Sequence, residues 1–309
     1  MINFRYHLVS LTAVFLALTV GLILGTAALN GPAMEVMQSN IQSLRDSNDQ
    51  YRAELSQLEA DLNDDQAFAA EIAPSYLAGK LADKNILVVA LPGADTQVVD
   101  GAVEMLGYAG ATVSGRVSIL DDFFDPNRGD ELGDLTETVT PETVQLPVTY
   151  DDIESMSYVL AAVTTGKAGG VPVEIPAGDI TVVTSGLNAA SLLTVETEPT
   201  GVADGVLILA GPGSTDSDAE SRNEGVVTVA DVFAVDAPTV YAATTSTGDG
   251  NPINALRSED NNTVSTVDNV SSPQGQIAAV VSLADFMATG KVDHLGTGEG
   301  VSGLLPAPA

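Results

Sequence analysis

Two methionines, Met34 and Met37, lie three residues apart shortly after a long apolar run near the N-terminus. Thioether sulfurs are soft ligands that suit copper(I), so the pair could contribute to a copper site beside a membrane. A complete site would need further soft ligands, and the chain contains no Cys and only two His, His7 and His294. The same spacing also puts both side chains on one face of a helix, as neighbouring positions of a helix–helix seam. The seam is the favoured interpretation, because the apolar spacing continues well beyond the two methionines.

Residue types that could act in catalysis are few apart from the carboxylates. A Ser-His-Asp centre would have to use His294, and the nearby GVSG at residues 300–303 lacks the form of a nucleophile elbow. Carboxylates are so abundant that no acid–base pair can be singled out. We therefore predict no catalytic residue, no cofactor and no metal site. The protein is expected not to be an enzyme, and a hydrolase or transferase is the least favoured alternative.

Two loops follow predicted strands and contain glycine, LPGAD at residues 91–95 and AGPGSTDSD at residues 210–218. Neither has the GxGxxG or Walker lysine pattern. The second loop could offer backbone N–H groups to an anion, but its acidic residues would repel one. The same acids suggest calcium, although the segment lacks the glycine and bidentate glutamate spacing of a calcium loop. No ligand is assigned to either loop.

The charge distribution excludes one class of partner. The net charge is −31, and all 42 acidic residues lie at or after Glu35. A body this acidic repels phosphate backbones, so no nucleic-acid binding is expected. The absence of Cys excludes thiolate metal sites and disulfides. With 45% hydrophobic residues, the chain can still bury a substantial core.

An uncharged apolar segment, residues 8–29, is long enough to cross a lipid bilayer, at roughly 33 Å as a helix. Arg5 and His7 precede it and Glu35 follows it, so the positive-inside rule places the N-terminus in the cytosol and the body in the extracytoplasmic, periplasm-like space. A cleaved signal peptide is the alternative, with TAA at residues 26–28 as the cleavage motif. The length of the apolar run and the single firm positive charge favour an uncleaved, single-pass anchor in the cell membrane.

Small residues recur every four positions within this segment, at Ala17, Gly21 and Gly25. Such a stripe allows two helices to approach closely in lipid, and Gly21 and Gly25 form a GxxxG motif. Glycine and alanine are common in membrane helices, so the motif alone is weak evidence for packing.

Residues 34–73 follow a break expected at residues 30–32, an Asn-Gly-Pro sequence, and carry a heptad pattern. The pattern predicts a parallel coiled coil that forms a homodimer, with an amphipathic helix packed on its own domain as the alternative. A polar a position, Asn48, favours a two-stranded state, and Asp65 and Ala69 weaken the seam. The predicted seam residues are Met34, Met37, Ile41, Leu44, Asn48, Tyr51, Leu55, Leu58, Leu62 and Ile72.

The remaining chain, residues 83–309, alternates predicted strands and helices. A strand at residues 85–91, a helix at 96–110 and a strand at 111–120 form a βαβ unit, which implies a parallel sheet. Residues 121–150 are polar and suggest a helix fragment and a long loop. Further strands are predicted at residues 205–211, 239–243 and 263–267, and helices at 151–165, 180–193, 224–234, near Asn254 and at 273–289. We therefore predict a doubly wound, Rossmann-like α/β domain.

Two stretches carry a family resemblance, MINFRYHLVSLTAVFLALTVGLILGTAALNGP at the start and HLGTGEGVSGLLPAPA at the end. They resemble the mycobacterial copper transport protein B (MctB) family of actinobacteria, which includes the corynebacterial cell-separation protein SteB. The resemblance implies two different functions. One is copper transport or efflux. The other is a scaffold that works with the membrane protein SteA to regulate a peptidoglycan hydrolase of the NlpC/P60 type.

Physical arguments favour the scaffold. A membrane channel needs a closed barrel or several helices, because backbone exposed to lipid must be hydrogen-bonded internally. One spanning helix with a soluble acidic domain does not form a conduit, and the chain is poor in copper ligands. The sequence therefore predicts a membrane-anchored homodimeric envelope adaptor in the lipid bilayer, with a partner resembling SteA and a wall hydrolase. Copper transport or copper resistance is the alternative.

Overall fold

The computed structural model describes residues 4–258 and 263–307, and for residues 28–33 it describes the backbone alone. The chain divides into two compact units, residues 1–65 and 66–309. The first unit consists of helix α1 (Phe4–Leu77), which continues into the second. The candidate membrane span within α1 is Phe4–Ala27, with a mean hydropathy of 2.4, which confirms a single N-terminal apolar helix within the described residues.

The break expected at residues 30–32 is wrong, because α1 runs through them without interruption. A proline within a helix removes one hydrogen bond and clashes with the preceding turn, at about 3 kcal/mol. The apolar run before Pro32 and the heptad sequence after it both favour helix, so propagation on either side outweighs one unfavourable position. The helix likewise extends past Pro74 to end at Leu77.

The second unit is an α/β domain with a seven-stranded sheet. Its strands, in chain order, are β1 (Asn85–Ala90), β2 (Thr112–Ile119), β5 (Leu193–Thr197), β6 (Gly205–Ala210), β7 (Thr239–Ala243), β8 (Val264–Val267) and β9 (His294–Leu295). A separate two-stranded hairpin is formed by β3 (Lys167–Ala168) and β4 (Val171–Pro172). The helices are α2 (Thr96–Tyr108), α3 (Gly129–Val139), α4 (Asp152–Thr165), α5 (Ala177–Ala189), α6 (Ala219–Asp236), α7 (Pro252–Leu256) and α8 (Pro273–Thr289).

The helix boundaries follow from local capping signals. The Asp151 carboxylate accepts a hydrogen bond from the backbone N–H of Glu154 at 2.8 Å, and α4 ends at Gly166 in the left-handed conformation. Helix α8 begins with Ser272 as its N-cap and Pro273 in its first turn, and ends at Gly290, also left-handed. These signals explain why the predicted helices at residues 151–165 and 273–289 match the structure closely.

The strand order across the sheet is β5-β2-β1-β6-β7-β8-β9. All neighbours pair in parallel except β5, which is antiparallel to β2. The chain leaves β1 through α2 towards β2, and it leaves β6 through α6 towards β7, in the opposite direction. This reversal between β1 and β6 is the topological switch point of a doubly wound sheet.

Two hydrophobic clusters cover the two faces of the sheet. One contains residues of α3, α4, α5 and α6, such as Met156 and Phe233. The other contains residues of α2 and α8 together with Ala73 and Leu77 from the last turns of α1. The five residues of β1 that follow Asn85 are buried, as expected for a strand covered on both faces. The predicted mixed α/β class is therefore confirmed.

The body differs from the prediction at the end of one helix, and it contains short strands that the sequence did not predict. The helix expected at residues 180–193 ends at Ala189, and Leu193 instead begins the edge strand β5. Ser191 has a positive φ of 59°, which turns the chain between the two elements. The edge strand β9 and the β3–β4 hairpin are too short to produce a sequence pattern.

Candidate functional site

The predicted seam residues form an exposed apolar row on α1. Between Met34 and Leu62, the large apolar members range in exposure from 39% at Ile41 to 71% at Leu44, and Asn48 in the same row is also exposed. On other faces of the helix, local amide–carboxylate bonds join Gln50 to Glu54 at 2.8 Å, with similar pairs about two turns before and after it. These polar side chains find partners within the helix, whereas the apolar row is exposed.

The last predicted seam residue, Ile72, lies in a different environment. It lines an apolar hollow of about 230 Å³ within the second unit, together with Tyr76, Ala69, Leu304 and Leu305. Ile72, Tyr76 and the two leucines are each at least 38% exposed. Because the hollow is apolar and open, it could accept the apolar side of a helix. We call these five residues the apolar groove.

The small-residue stripe of the apolar N-terminal helix is open along its length. A Cβ atom added at Gly21 or Gly25 would meet no other atom within 4 Å, and Ala17 is exposed. Three threonines in the same segment hydrogen-bond to carbonyls of the preceding turn, for example Thr19 Oγ1 to Phe15 O at 2.7 Å. Their hydroxyls are therefore satisfied without water, as a helix in lipid requires.

The candidate soft ligands are not brought together. Met105 and Met156 are buried in the clusters on opposite faces of the sheet, while Met34 and Met37 lie exposed on α1. His294 Nδ1 lies 3.0 Å from Thr266 Oγ1, and burial together with the neighbouring Arg257 cation lowers the pKa of His294. Within residues 4–258 and 263–307, no three His, Cys, Asp or Glu side chains are grouped closely enough to hold a metal.

The two glycine-containing loops meet at the switch point. A crevice of about 290 Å³ lies between them, at the carboxyl ends of β1 and β6. Gly211 must lack a side chain there, because a Cβ would lie 2.3 Å from the backbone of Gly93. Sequence reasoning identified both loops, but it did not predict that they share one site. The sequence carries no signal for this, because it depends on β1 and β6 being neighbours in the sheet, where the loops after parallel strands lie at the same edge.

Side chains of α6 hold the loop after β6 in place. Asn223 accepts a hydrogen bond from the backbone N–H of Ser214 at 2.8 Å and donates to its carbonyl at 3.1 Å. Arg222 donates to the Asp218 carboxylate at 2.7 Å and to the backbone carbonyl of Asp121 at 2.9 Å. The crevice wall is therefore fixed by contacts within the protein.

The C-terminal Gly-rich motif surrounds a buried ion pair that sequence reasoning missed. Arg257 and Asp268 lie 3.0 Å apart, with side chains 3% and 2% exposed. The Asp268 carboxylate also accepts hydrogen bonds from the backbone N–H groups of Thr297 at 2.6 Å and Gly298 at 3.0 Å. Burial opposes ionisation of Asp268, but these donors and Arg257 outweigh it and hold the pKa of that carboxyl below its ordinary value.

The same ion pair explains why glycine is required in the motif. A Cβ at Gly296, whose φ is 128°, would lie 2.1 Å from the Asp268 carboxylate. Arg257 also donates to the backbone carbonyl of Leu295 at 3.0 Å. The distinctive tail therefore has a structural role, since it completes the edge of the sheet around β9.

A second buried carboxylate, Asp236, lies at the end of α6. It is 4% exposed, and its Oδ1 accepts a hydrogen bond from the backbone N–H of Gly170 at 2.7 Å. Its Oδ2 has no hydrogen-bond partner in the described part of the chain. Burial raises the pKa of Asp236 to about 6, against the opposing effects of that N–H and of Lys167.

An apolar helix long enough to span a bilayer and a doubly wound domain define this chain as a membrane-associated α/β protein. It matches the family described as "Copper transport outer membrane protein, MctB" over residues 1–306. The chain therefore belongs to the MctB family, as the two terminal motifs predicted. By that description, the family is one of membrane-associated copper transport proteins.

Named relatives of similar length occur in mycobacteria. The chain is 25% identical over 310 residues to proteins named "Copper transporter MctB" from Mycobacterium bovis and Mycobacterium tuberculosis, an alignment that covers 97% of this chain and 98% of each relative. It is 29% identical over 318 residues to the protein of the same name from Mycobacterium leprae, which covers 98% and 99%. The similarity thus extends over both units of the chain.

Proposed function

We propose that this protein is a membrane-anchored, non-enzymatic envelope adaptor that forms a homodimer through a parallel coiled coil of α1. The observation that carries the proposal is the uncovered row of apolar seam residues between Met34 and Leu62. Removing one large apolar side chain from water contributes about 1.5–3 kcal/mol, and a second copy of the same helix would cover the whole row. Two chains anchored in one membrane with the same orientation can pair only in parallel.

The membrane orientation is part of this proposal. Arg5 at the N-terminal end of the span and the acidic chain after it favour a cytosolic N-terminus and an extracytoplasmic body. In that orientation α1 carries the seam into the space outside the cell membrane, where a wall-active partner would be met. The open stripe of Ala17, Gly21 and Gly25 supplies a surface for a second helix within the bilayer.

We further propose that the adaptor acts with a membrane partner resembling SteA and regulates a wall hydrolase of the NlpC/P60 type in cell separation. The resemblance of the terminal motifs to a family that includes SteB supports these partners. The apolar groove supplies a surface for an amphipathic partner helix, because Ile72, Tyr76, Leu304 and Leu305 are exposed on it.

The proposal is tested by two variants that separate dimerisation from recruitment. Leu55→Asp/Leu58→Asp should abolish the dimer, whereas Leu304→Asp/Leu305→Asp should leave the dimer intact and reduce partner capture. Cross-linking in membranes followed by identification of partners gives both readouts. Cells carrying the first variant at normal protein levels should show separation defects similar to those of cells lacking the protein. Normal separation in these cells would contradict the adaptor proposal.

Copper transport is a second candidate function, which the names of the family and of its mycobacterial relatives favour. Among the described residues no three His, Cys, Asp or Glu side chains are grouped to hold a metal, so the exposed pair Met34 and Met37 is the soft-ligand set to test. Cells lacking the protein should then become copper-sensitive, and Met34→Leu/Met37→Leu should reproduce that sensitivity. If those cells are copper-sensitive but separate normally, the copper function replaces the adaptor.

A further inference from the structure

We propose that the crevice at the switch point between β1 and β6 binds a neutral polyhydroxylated ligand of about one sugar ring. This inference is independent of dimerisation and of the partners proposed above, because every residue lining the crevice lies in the α/β domain. The volume of about 290 Å³ accommodates a small ligand and excludes a dinucleotide or a folded peptide.

The central observation is Tyr241, which lies in β7 and lines the crevice. Its side chain is 1% exposed, yet its hydroxyl is not among the buried polar atoms left without a partner and bonds to no other described residue, so the hydroxyl opens into the crevice. A tyrosine hydroxyl that opens into a cavity takes its hydrogen-bond partner from water or from a ligand. A hydroxyl of a ligand in the crevice would supply that partner.

The crevice wall supplies further groups suited to hydroxyls. Ser214 and Thr215 contribute side-chain hydroxyls, and Asp121 and Asp216 contribute carboxylates, which accept hydrogen bonds from vicinal hydroxyl groups. The lining also includes Leu91, Phe124 and Val226, apolar side chains suited to the C–H face of a sugar ring. This combination of polar and apolar lining is not expected for a simple ion site.

The charges in the crevice exclude anions. Arg222 lines the wall, but its guanidinium already donates to Asp218 and to the Asp121 carbonyl. Two acidic residues, Asp121 and Asp216, line the same crevice as this one engaged cation, in a chain with a net charge of −31. A phosphate or nucleotide would therefore be repelled, although the loop follows a strand and precedes a helix as phosphate loops do.

The wall is also preorganised. The two hydrogen bonds between Asn223 and the Ser214 backbone fix the loop before any ligand arrives. Gly213 packs so closely that an added Cβ would lie 2.9 Å from Pro252. A ligand would not have to order this loop, which removes one of the main costs of binding.

The test uses the full-length chain in nanodiscs, because sugar-based detergents would compete for the site. Binding of glucose and N-acetylglucosamine is measured by saturation-transfer NMR, with glucose 6-phosphate and calcium chloride as charged counterparts. We expect at least one of the neutral sugars to bind, and glucose to bind at least about tenfold more tightly than its phosphorylated form. Tyr241→Phe and Ser214→Ala should each weaken sugar binding by about tenfold or more.

Tyr158→Phe is the matched control, because Tyr158 is a buried tyrosine of the same core that does not line the crevice. It should bind sugar as the unaltered protein does, and circular dichroism should show that all three variants fold. The proposal is overturned if neither neutral sugar binds at millimolar concentration, if glucose 6-phosphate or calcium binds in preference, or if the Tyr241 and Ser214 variants bind as well as the control.

Discussion

The membrane-proximal part of α1 and the sheet domain use apolar residues in opposite ways. In the sheet, strands such as β1 and β6 are buried on both faces by helices of the same chain. In residues 34–62, every leucine, methionine and isoleucine is exposed. The difference teaches that the domain can derive its stability from its own core, whereas the exposed row on the helix is the surface that we propose a second copy covers. Substitutions in the two regions should therefore affect different measurements.

The largest effect on domain stability is expected at the buried ion pair. Asp268→Ala would leave Arg257 as an uncompensated buried charge and remove the acceptor of the Thr297 and Gly298 N–H groups. We expect the free energy of unfolding of the domain to fall by about 3–5 kcal/mol, measured by urea denaturation. Asp122→Ala is the matched control, because Asp122 forms an exposed ion pair with Arg128. This substitution should lower the free energy of unfolding by less than about 1 kcal/mol. Equal effects of the two variants would contradict the structural role of Asp268.

The next effect should appear in association and not in domain stability. Leu55→Asp/Leu58→Asp places carboxylates in the seam, and dimerisation in nanodiscs or micelles should weaken by at least about a hundredfold. The urea transition of the domain should stay unchanged, because neither residue belongs to its core clusters. Ala53→Asp, on the opposite side of the helix, is the control that keeps the dimer. Loss of the domain transition in the seam variant would show that the two regions are not energetically separate.

Asn48, the polar position of the predicted seam, allows a second test of the same comparison. Asn48→Leu should make the coiled coil more stable to heat and less selective in oligomeric state, because a polar a position specifies two strands at the expense of stability. Analytical ultracentrifugation would detect species larger than the dimer. A variant that remains a dimer of unchanged stability would mean that Asn48 does not lie in the seam.

A smaller effect is expected from the buried carboxylate Asp236. Its pKa in the folded state is raised to about 6, above the ordinary value near 4 of an unfolded aspartate, so the folded state binds more protons between these two values. Stability should therefore fall as the pH rises from about 4 to about 6, by about 1–2 kcal/mol from this group. Asp236→Asn removes the titration, so the difference in unfolding free energy between variant and unaltered protein should change across that range. A constant difference would contradict the raised pKa.

The smallest effect concerns charge pairs flanking the seam. In a parallel dimer, Glu54 at a g position lies opposite Glu59 at the e position of the second chain, which is an unfavourable pair. Glu54→Arg would replace repulsion by attraction and should stabilise the dimer by about 0.3–0.5 kcal/mol at low salt, with the gain declining as salt is added. Dimer dissociation measured at two salt concentrations tests this. A destabilised dimer would argue against a parallel arrangement in this register.

Much of the fold could be predicted because its signals are local. Buried runs such as residues 239–243, and the Ser-Pro start and Gly end of α8, identify elements without knowledge of the rest of the chain. Elements that depend on distant partners could not be found in this way. Strand β9 has two residues and exists because Asp268 and Arg257 hold the chain beside β8. The continuation of α1 through Pro32 likewise depends on the helix on both sides.

The candidate sites were predictable to different degrees. The seam positions follow from heptad spacing, and the structure places them on one exposed row, although the coiled coil itself stays a prediction. The crevice could be anticipated only in pieces, as two glycine-containing loops, because their meeting depends on the order of β1 and β6 in the sheet. Nothing near Tyr241 in the sequence distinguishes it from an ordinary core tyrosine, and its position in the crevice emerges only from the folded chain.

The dependence of Asp268 on the tail also has a consequence for biosynthesis. The N–H groups that bind this carboxylate belong to Thr297 and Gly298, and these residues leave the ribosome 29 and 30 residues after Asp268 itself. Until they emerge, Arg257 and Asp268 lack most of the contacts that stabilise them as a buried ion pair, and the sheet lacks its last strand. The edge of the sheet around β8 and β9 should therefore reach its native state only after Gly298 has emerged, when the N-terminal helix has long been available for membrane insertion. Chains that stop before Thr297 should be recognised as incomplete and degraded.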